Sequence, residues 1–357
     1  MLARARWIHG PVSDLALAFC WLPFAVLAHV LELHTASLRQ LVGAVFLLSF
    51  FHQPLTLALV YGDKEQYAAR ARLYRWAPVV AFVAIVVGLN VSLALVAVVA
   101  GLWNAEHTLM QRYGLTRIYG RKAGDDNGRF EKAMIVAGLA FALVWVAAFV
   151  DLPALVDRVG TGGTNARGIA VLHSLAPLAR WLVVPIAVAV VATVVRWWRA
   201  ERALGTQANP AKHAYLVATA ALLVLVMVDP VAGFAGYVAG HALEYLVIVH
   251  RSLRGRAANG DRSAVARAAS APGRRVALYG AYTAAVVGFG FVSWNVLDGR
   301  LYGFAILFFG ALHILYDGFV WKLRRPQLAA SLGAQPLAGV APAATRGAPG
   351  MTVGTSH

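Results

Sequence analysis

The charges of this chain are gathered into short groups, and apolar stretches of about 20 residues, the length that crosses a bilayer as a helix, separate them. In hydrocarbon every backbone N–H and C=O must be satisfied within the chain, so such stretches become helices. Only 13% of the residues are charged and 60% are hydrophobic, where an ordinary soluble domain is about 25% charged. The alternating ten-residue segments of a membrane β-barrel are absent. The fold expected is an all-α, polytopic integral membrane bundle, in a multi-pass arrangement fitting a bacterial inner membrane.

The expected spans, about ten, are 12–33, 38–61, 76–88, 91–111, 131–151, 178–198, 213–229, 231–250, 275–296 and 301–322. The long run 76–111 is broken at Gly88-Leu89-Asn90, which leaves a short third helix. The Gly- and Thr-rich stretch 152–177 has room for a surface helix. With both termini cytoplasmic, only Arg39, Arg158, Arg167, Arg180 and Arg300 of the 32 Lys and Arg residues fall outside. That asymmetry is the positive-inside rule. The net charge of +16 is therefore topological, with attraction to anionic lipid secondary, and not a nucleic-acid surface. The membrane domain covers 1–325. Residues 252–274 read as a flexible cytoplasmic loop and 326–357, rich in Ala, Gly and Pro, as a disordered tail. The first apolar run follows Arg4 and Arg6 as in a signal peptide, but it is long and contains His29, and reads as an uncleaved span. The lone Cys20 excludes an intrachain disulfide, a CxxC pair, a cysteine-ligated cluster and a c-type haem motif.

The sharpest signal is the placement of histidine. Of eleven, His9, His52, His107, His241, His250 and His313 fall in the inner half of the membrane or at its inner surface. Counting at 1.5 Å per residue puts His52, His241 and His313 roughly 13–15 Å from the inner ends of their helices and His107 about 6 Å in. Neighbouring helices run in opposite directions, yet four of them deliver an imidazole to one layer. Asn104, His107, Thr108 and Gln111 share a helix face, with Glu106 adjacent; His241, Glu244 and Tyr245 share another; His313, Tyr316 and Asp317 a third. Ionisable residues inside a span are costly and normally face the bundle interior with a partner. Imidazole is a common metal ligand, and a carboxylate either completes such a set or orients a ligating ring. His250 lies nine residues past His241, half a turn away, and reads as interfacial.

Plainer assignments stand beside these. A single intramembrane histidine serves as an interhelical hydrogen-bonding group. Asp317 could pair with Lys322, and Glu106 could snorkel to the inner surface. Asp229-Pro230 reads as a turn, and Trp76, Trp103, Trp197, Trp198 and Trp321 as interfacial anchors. The block 117–129 reads as a cytoplasmic Asp/Asn/Gly turn, and no GxSxG, HExxH or Walker motif occurs.

Two stretches resemble a known family. Trp7-Ile8-His9-Gly10-Pro11-Val12-Ser13-Asp14 is similar to the N-terminal signature, and Leu312-His313-Ile314-Leu315-Tyr316-Asp317-Gly318-Phe319 to the C-terminal element, of the Brp/Blh-type membrane β-carotene 15,15'-dioxygenases. That family is polytopic and helical, and is believed to hold non-haem iron on transmembrane histidines while cleaving a carotenoid with O₂. The resemblance implies His9 and His313 as ligands and matches His241 to the first member of a histidine pair whose second position here is Tyr245. The function expected is a non-haem metal oxygenase or related oxidoreductase. Its metal would be Fe(II), with zinc the alternative, and O₂ the co-substrate. His9, His52, His107, His241 and His313 are the candidate ligands. Glu106, Glu244, Tyr245 and Asp317 are the candidate catalytic or orienting groups. The substrate would be a lipid-soluble isoprenoid or acyl chain, and the electron donor is open. The alternatives are a b-type haem electron carrier, a His/carboxylate proton-coupled transporter and a non-catalytic scaffold.

Overall fold

Helix boundaries in this chain follow its prolines and short polar side chains. The computed structural model describes residues 7–125, 127–160, 169–261, 263–295, 300–323 and 325–334, and among these there is no β-strand. In chain order the helices are α1 (Pro11–Ala18), α2 (Leu22–Val30), α3 (Thr35–Tyr61), α4 (Lys64–Ala68), α5 (Ala71–Val91), α6 (Leu93–Lys122), α7 (Arg129–Phe149), α8 (Leu152–Val159), α9 (Ala176–Ala203), α10 (Pro210–Val228), α11 (Pro230–Ala258), α12 (Ala264–Ser270), α13 (Pro272–Asn295), α14 (Arg300–Val320) and α15 (Pro326–Ser331).

Among the described residues eight helices are long and apolar enough to cross a bilayer: α3, α5, α7, α9, α10, α11, α13 and α14. The pair α1–α2 makes a ninth if its two halves, bent by 42°, are taken as one span. Pro23 explains the bend. It has no N–H to give Phe19, and the Leu22 N–H bonds the Phe19 carbonyl instead, at 3.0 Å. The expected fourth span falls in α6, whose 30 residues reach about 45 Å at 1.5 Å each.

Four expectations are corrected. The break between α5 and α6 lies at Ser92, not at Gly88–Asn90, and α5 is 21 residues long rather than short. Ser92 adopts an extended backbone and its hydroxyl accepts the Leu95 N–H at 3.2 Å, an N-cap, while Asn90 stays helical by bonding the Val86 carbonyl. The stretch 252–274 is largely helical: α11 runs on to Ala258, and α12 starts from a Ser263 cap. Arg256 ties this stretch down by binding both Asp63 and Asp261. The beginning of the expected tail is also ordered. Helix α15 lies there, with Ala329, Leu332 and Ala334 buried against Ile8, Leu115 and Tyr215. The remainder of that tail, 335–357, falls outside the described residues. The surface helix expected within 152–177 is α8.

Helix α11 is the axis of the bundle. Of its most apolar stretch 78% is buried, against 6% for α9, which presents its valines outward on the flank of α7. Small residues let neighbours close on α11, as in other membrane bundles. A Cβ at Gly233 would stand 2.4 Å from the Cα of Val226, so the tight Asp229 turn between α10 and α11 demands glycine there. A Cβ at Gly240 would meet the Trp21 Cβ at 2.8 Å, which fixes the approach of α2 to α11 one residue before His241. Helix α3 packs on α11 and on α14, and α6 contacts both.

Candidate metal centre

Four helices each send one imidazole to a common point. His52 from α3, His107 from α6, His241 from α11 and His313 from α14 are all buried. The His313 Nε2 atom lies 3.0 Å from His107 Nε2 and 3.2 Å from His52 Nε2. His241 stands edge to face with His52 and His107, at centroid separations of 4.7 and 5.0 Å. Asp317, one turn beyond His313, brings Oδ2 to 3.8 Å from Nε2 of both His107 and His313. Two triads with ligand atoms within 4.8 Å of one another share His313: His52–His241–His313 and His107–His313–Asp317.

The polar atoms that surround this point fall into two kinds. Some are fully engaged. Thr56, four residues after His52 on the same face of α3, places its hydroxyl 2.6 Å from His313 Nδ1, 3.0 Å from Asp317 Oδ1 and 2.5 Å from the Tyr245 hydroxyl. The Tyr245 hydroxyl also donates to Asp317 Oδ1 at 3.1 Å. Others have no partner. Both ring nitrogens of His241, and Nδ1 of His52, are buried without a hydrogen bond. A buried polar group left unpaired costs about 1–3 kcal/mol, and native interiors seldom tolerate it. Three such atoms on two adjacent rings, with their neighbours' Nε2 atoms aimed at the same point, are what a ligand-binding centre looks like before its ligand is counted.

The donor set fits a metal ion. Ligands about 2.1 Å from one ion stand about 3.0 Å apart at right angles and about 3.4 Å apart at the tetrahedral angle. The two Nε2 separations lie in that range. The imidazole and carboxylate donors suit Fe, Zn and other borderline divalent ions.

The other sequence-predicted residues lie elsewhere. His9 is exposed, and its backbone N–H and ring both face Asp14, which also accepts the Ile8 N–H: the motif closes the chain onto α1 rather than reaching the four rings. Glu106 is exposed on α6, one residue from His107 but on the outer face of the helix. Glu244 is buried and turned away from the imidazoles. It pairs with Arg112 at 2.8 Å and accepts from Gln111 at 3.3 Å. Tyr245 adjoins the rings but reaches them through Thr56 and Asp317. Asp317 accepts from the Thr56 and Tyr245 hydroxyls. His250 meets the Tyr279 hydroxyl at 2.9 Å.

Two residues at the centre carry no mark in the sequence reading. Thr56 is a lone hydroxyl in an apolar helix, and only its spacing from His52 could have singled it out. Arg112 looks like one more basic residue near the inner surface, yet it is fully buried, pairs with Glu244, donates to the Ala18 carbonyl at 2.7 Å and stacks on Tyr215. The signal available was the unpaired Glu244, which needs a cation inside the bundle.

A second buried cluster lies around Lys212. Its ammonium bonds Asp125 at 2.9 Å, Glu131 at 3.0 Å and Glu201 at 2.7 Å. Arg117 joins Asp125 at 3.0 Å and Glu131 at 3.4 Å, and His213 closes on Glu201 at 2.7 Å. The segment 117–129, expected to be a plain turn, is thus anchored by buried ion pairs. Burial raises the Asp125 carboxyl, but Lys212 and Arg117 more than offset that and hold it below its ordinary value.

No family model, no curated protein and no solved structure matches this chain.

Proposed function

We propose that this chain is a membrane-embedded non-haem metal enzyme, with iron the metal, that oxidises a lipid-soluble isoprenoid or acyl-chain substrate. The observation that supports it best is the meeting of four imidazoles and one carboxylate from four helices, with the His241 ring nitrogens buried and unpartnered. His52, His107, His241 and His313 would hold the ion, and Asp317 would complete or orient the set. Iron bound by histidine and carboxylate with an open position supplies O₂ chemistry.

The chain's own residues supply the rest. The packed helices keep bulk water from the centre, which strengthens every electrostatic interaction there. The Thr56–Tyr245–Asp317 hydrogen bonds hold the His313 ring and keep two hydroxyl protons beside it. A substrate dissolved in lipid would approach through the outward-facing apolar helices. A bis-histidine haem needs two imidazoles on opposite faces of a flat macrocycle; four rings this close leave no slot for one, which favours a single ion. The four imidazoles converge on one point instead of forming a chain through the bundle, which favours an enzyme over a transporter.

Metal analysis of the full-length protein purified in detergent tests the proposal. The expected result is stoichiometric iron, with no Soret absorption. A folded protein that carries no iron or zinc, and takes up neither when they are supplied, ends it.

A further inference from the structure

We infer that Thr56 is a positioning residue for the metal centre: its hydroxyl fixes the tautomer of His313, so that Nε2 presents a bare lone pair to the point where the four rings meet. The inference rests on the metal-enzyme reading above and deepens it.

The argument is a count of protons. A threonine hydroxyl has one proton to donate and two lone pairs to accept with. Three partners lie within reach of it: Asp317 Oδ1 at 3.0 Å, His313 Nδ1 at 2.6 Å and the Tyr245 hydroxyl at 2.5 Å. Asp317 Oδ1 is the acceptor in its contact with Thr56, so the proton of Thr56 goes to Asp317. The single proton of the Tyr245 hydroxyl is shared between Thr56, at 2.5 Å, and that same carboxylate oxygen, at 3.1 Å, and so fills one of the two Thr56 lone pairs. What remains on Thr56 is acceptor capacity, and His313 Nδ1 is the ring nitrogen that faces it. The Nδ1 of His313 therefore carries the proton. A neutral imidazole has one N–H, so Nε2 is left as an acceptor. That atom is the one 3.0 Å from His107 Nε2 and 3.2 Å from His52 Nε2.

Thr56 is well placed to impose this. It sits one turn below His52 on α3, so a single helix carries one candidate ligand and the hydroxyl that orients another from α14. Pro54 lies between them and removes one helix N–H, and the Tyr282 hydroxyl donates to the Phe51 carbonyl beside it. No side-chain hydroxyl holds either ring nitrogen of His241, and neither finds a partner. His313, which belongs to both triads, is the ring whose orientation matters most.

Thr56→Val removes the hydroxyl and keeps the shape; Thr56→Ser keeps the hydroxyl. Both are measured in full-length protein in detergent, stripped of metal and titrated with Fe(II) and with Co(II), whose visible absorption reports ligand geometry. Partners that orient a ligating histidine are typically worth about 10–100-fold in metal affinity. We expect a loss of that size in Thr56→Val with a changed Co(II) spectrum. Thr56→Ser should restore both affinity and spectrum. A merely structural threonine would lower the melting temperature of the metal-free protein while leaving the spectrum alone. If the wild type binds metal and Thr56→Val binds it as tightly with an unchanged spectrum, the inference fails and the metal reading survives. If Thr56→Val unfolds, a Thr56→Ser protein whose affinity or spectrum departs from the wild type overturns it. A wild type that binds neither ion removes the reading and this inference together.

Discussion

Two groups of buried polar side chains share this bundle, and they treat charge in opposite ways. Around Lys212 every carboxylate meets a cation: three of them face Lys212 and Arg117 at 2.7 to 3.4 Å, and the His213 ring adds a contact to Glu201 at 2.7 Å. Around His313 five candidate donors converge without a cation among them, and three ring nitrogens have no partner. Pairing of the first kind holds a fold together and needs nothing more. Convergence of the second kind raises the energy of the empty fold and is retained where something binds. The contrast sets a self-sufficient structural knot apart from a candidate binding site.

The comparison can be broken most forcefully at Lys212. Lys212→Met leaves three buried carboxylates with only Arg117 and His213 to face, and loss of one partner from a buried ion cluster costs about 3–5 kcal/mol. Denaturation of the detergent-solubilised variant should show a loss of that order, with metal content per folded chain unchanged. Coupled loss of metal from the folded fraction would mean that the two clusters are one unit.

At the other cluster the expected effects are reversed. His241→Leu should weaken metal binding by more than the about 100-fold typical of an orienting partner. It should leave the metal-free protein within about 1 kcal/mol of the wild type, because it removes unpaired polar atoms rather than a bond. A large destabilisation of the metal-free variant would identify His241 as a structural hydrogen-bonding group.

Acid sharpens the contrast further. The Asp125 carboxyl is held below its ordinary value, so its contribution to stability is complete above about 3.9, the unfolded-state value. That contribution is lost as pH falls through the lower folded-state value. The unfolding midpoint of the wild type should fall in that acidic window. Asp125→Asn should be less stable near neutrality and should show less of that acid-dependent fall; an identical acid limb in the two proteins would count against the assignment. The smallest effect belongs to Glu106→Gln. This exposed residue should change neither metal content nor stability by more than about 0.5 kcal/mol.

The helical membrane fold was legible because the bilayer imposes a length and a composition that can be counted along the chain. The shared depth of His52, His107, His241 and His313 was legible for the same reason: rise per residue converts position into height. What height leaves out is azimuth and partner. Glu106 and His107 have nearly the same height, yet one is exposed and the other buried. Glu244 shares a face with His241 but is drawn toward Arg112, and that pairing joins residues on two helices far apart in sequence. Lys212, Asp125, Glu131 and Glu201 each sit near the end of a helix, where a charge normally meets water, and nothing local reveals that the ends converge. The errors in 252–274 and in the α15 region have another origin. Ala- and Arg-rich sequence has high helix propensity, and here the Ser263 cap and the Asp63–Arg256 pair give it an anchor.

Gly240 carries a consequence for how such a centre could drift or be redesigned. The height and rotation of His241 are set by bare backbone resting on Trp21, not by any bond to the imidazole itself. A methyl group added at 240 would act as a shim, lifting α11 off α2 and swinging the ring away from its three companions, though no donor atom had been altered. Altering the bulk of residue 21 would tilt the same lever from the other side. The geometry of the centre is thus adjustable from outside it, through two positions that never touch a ligand.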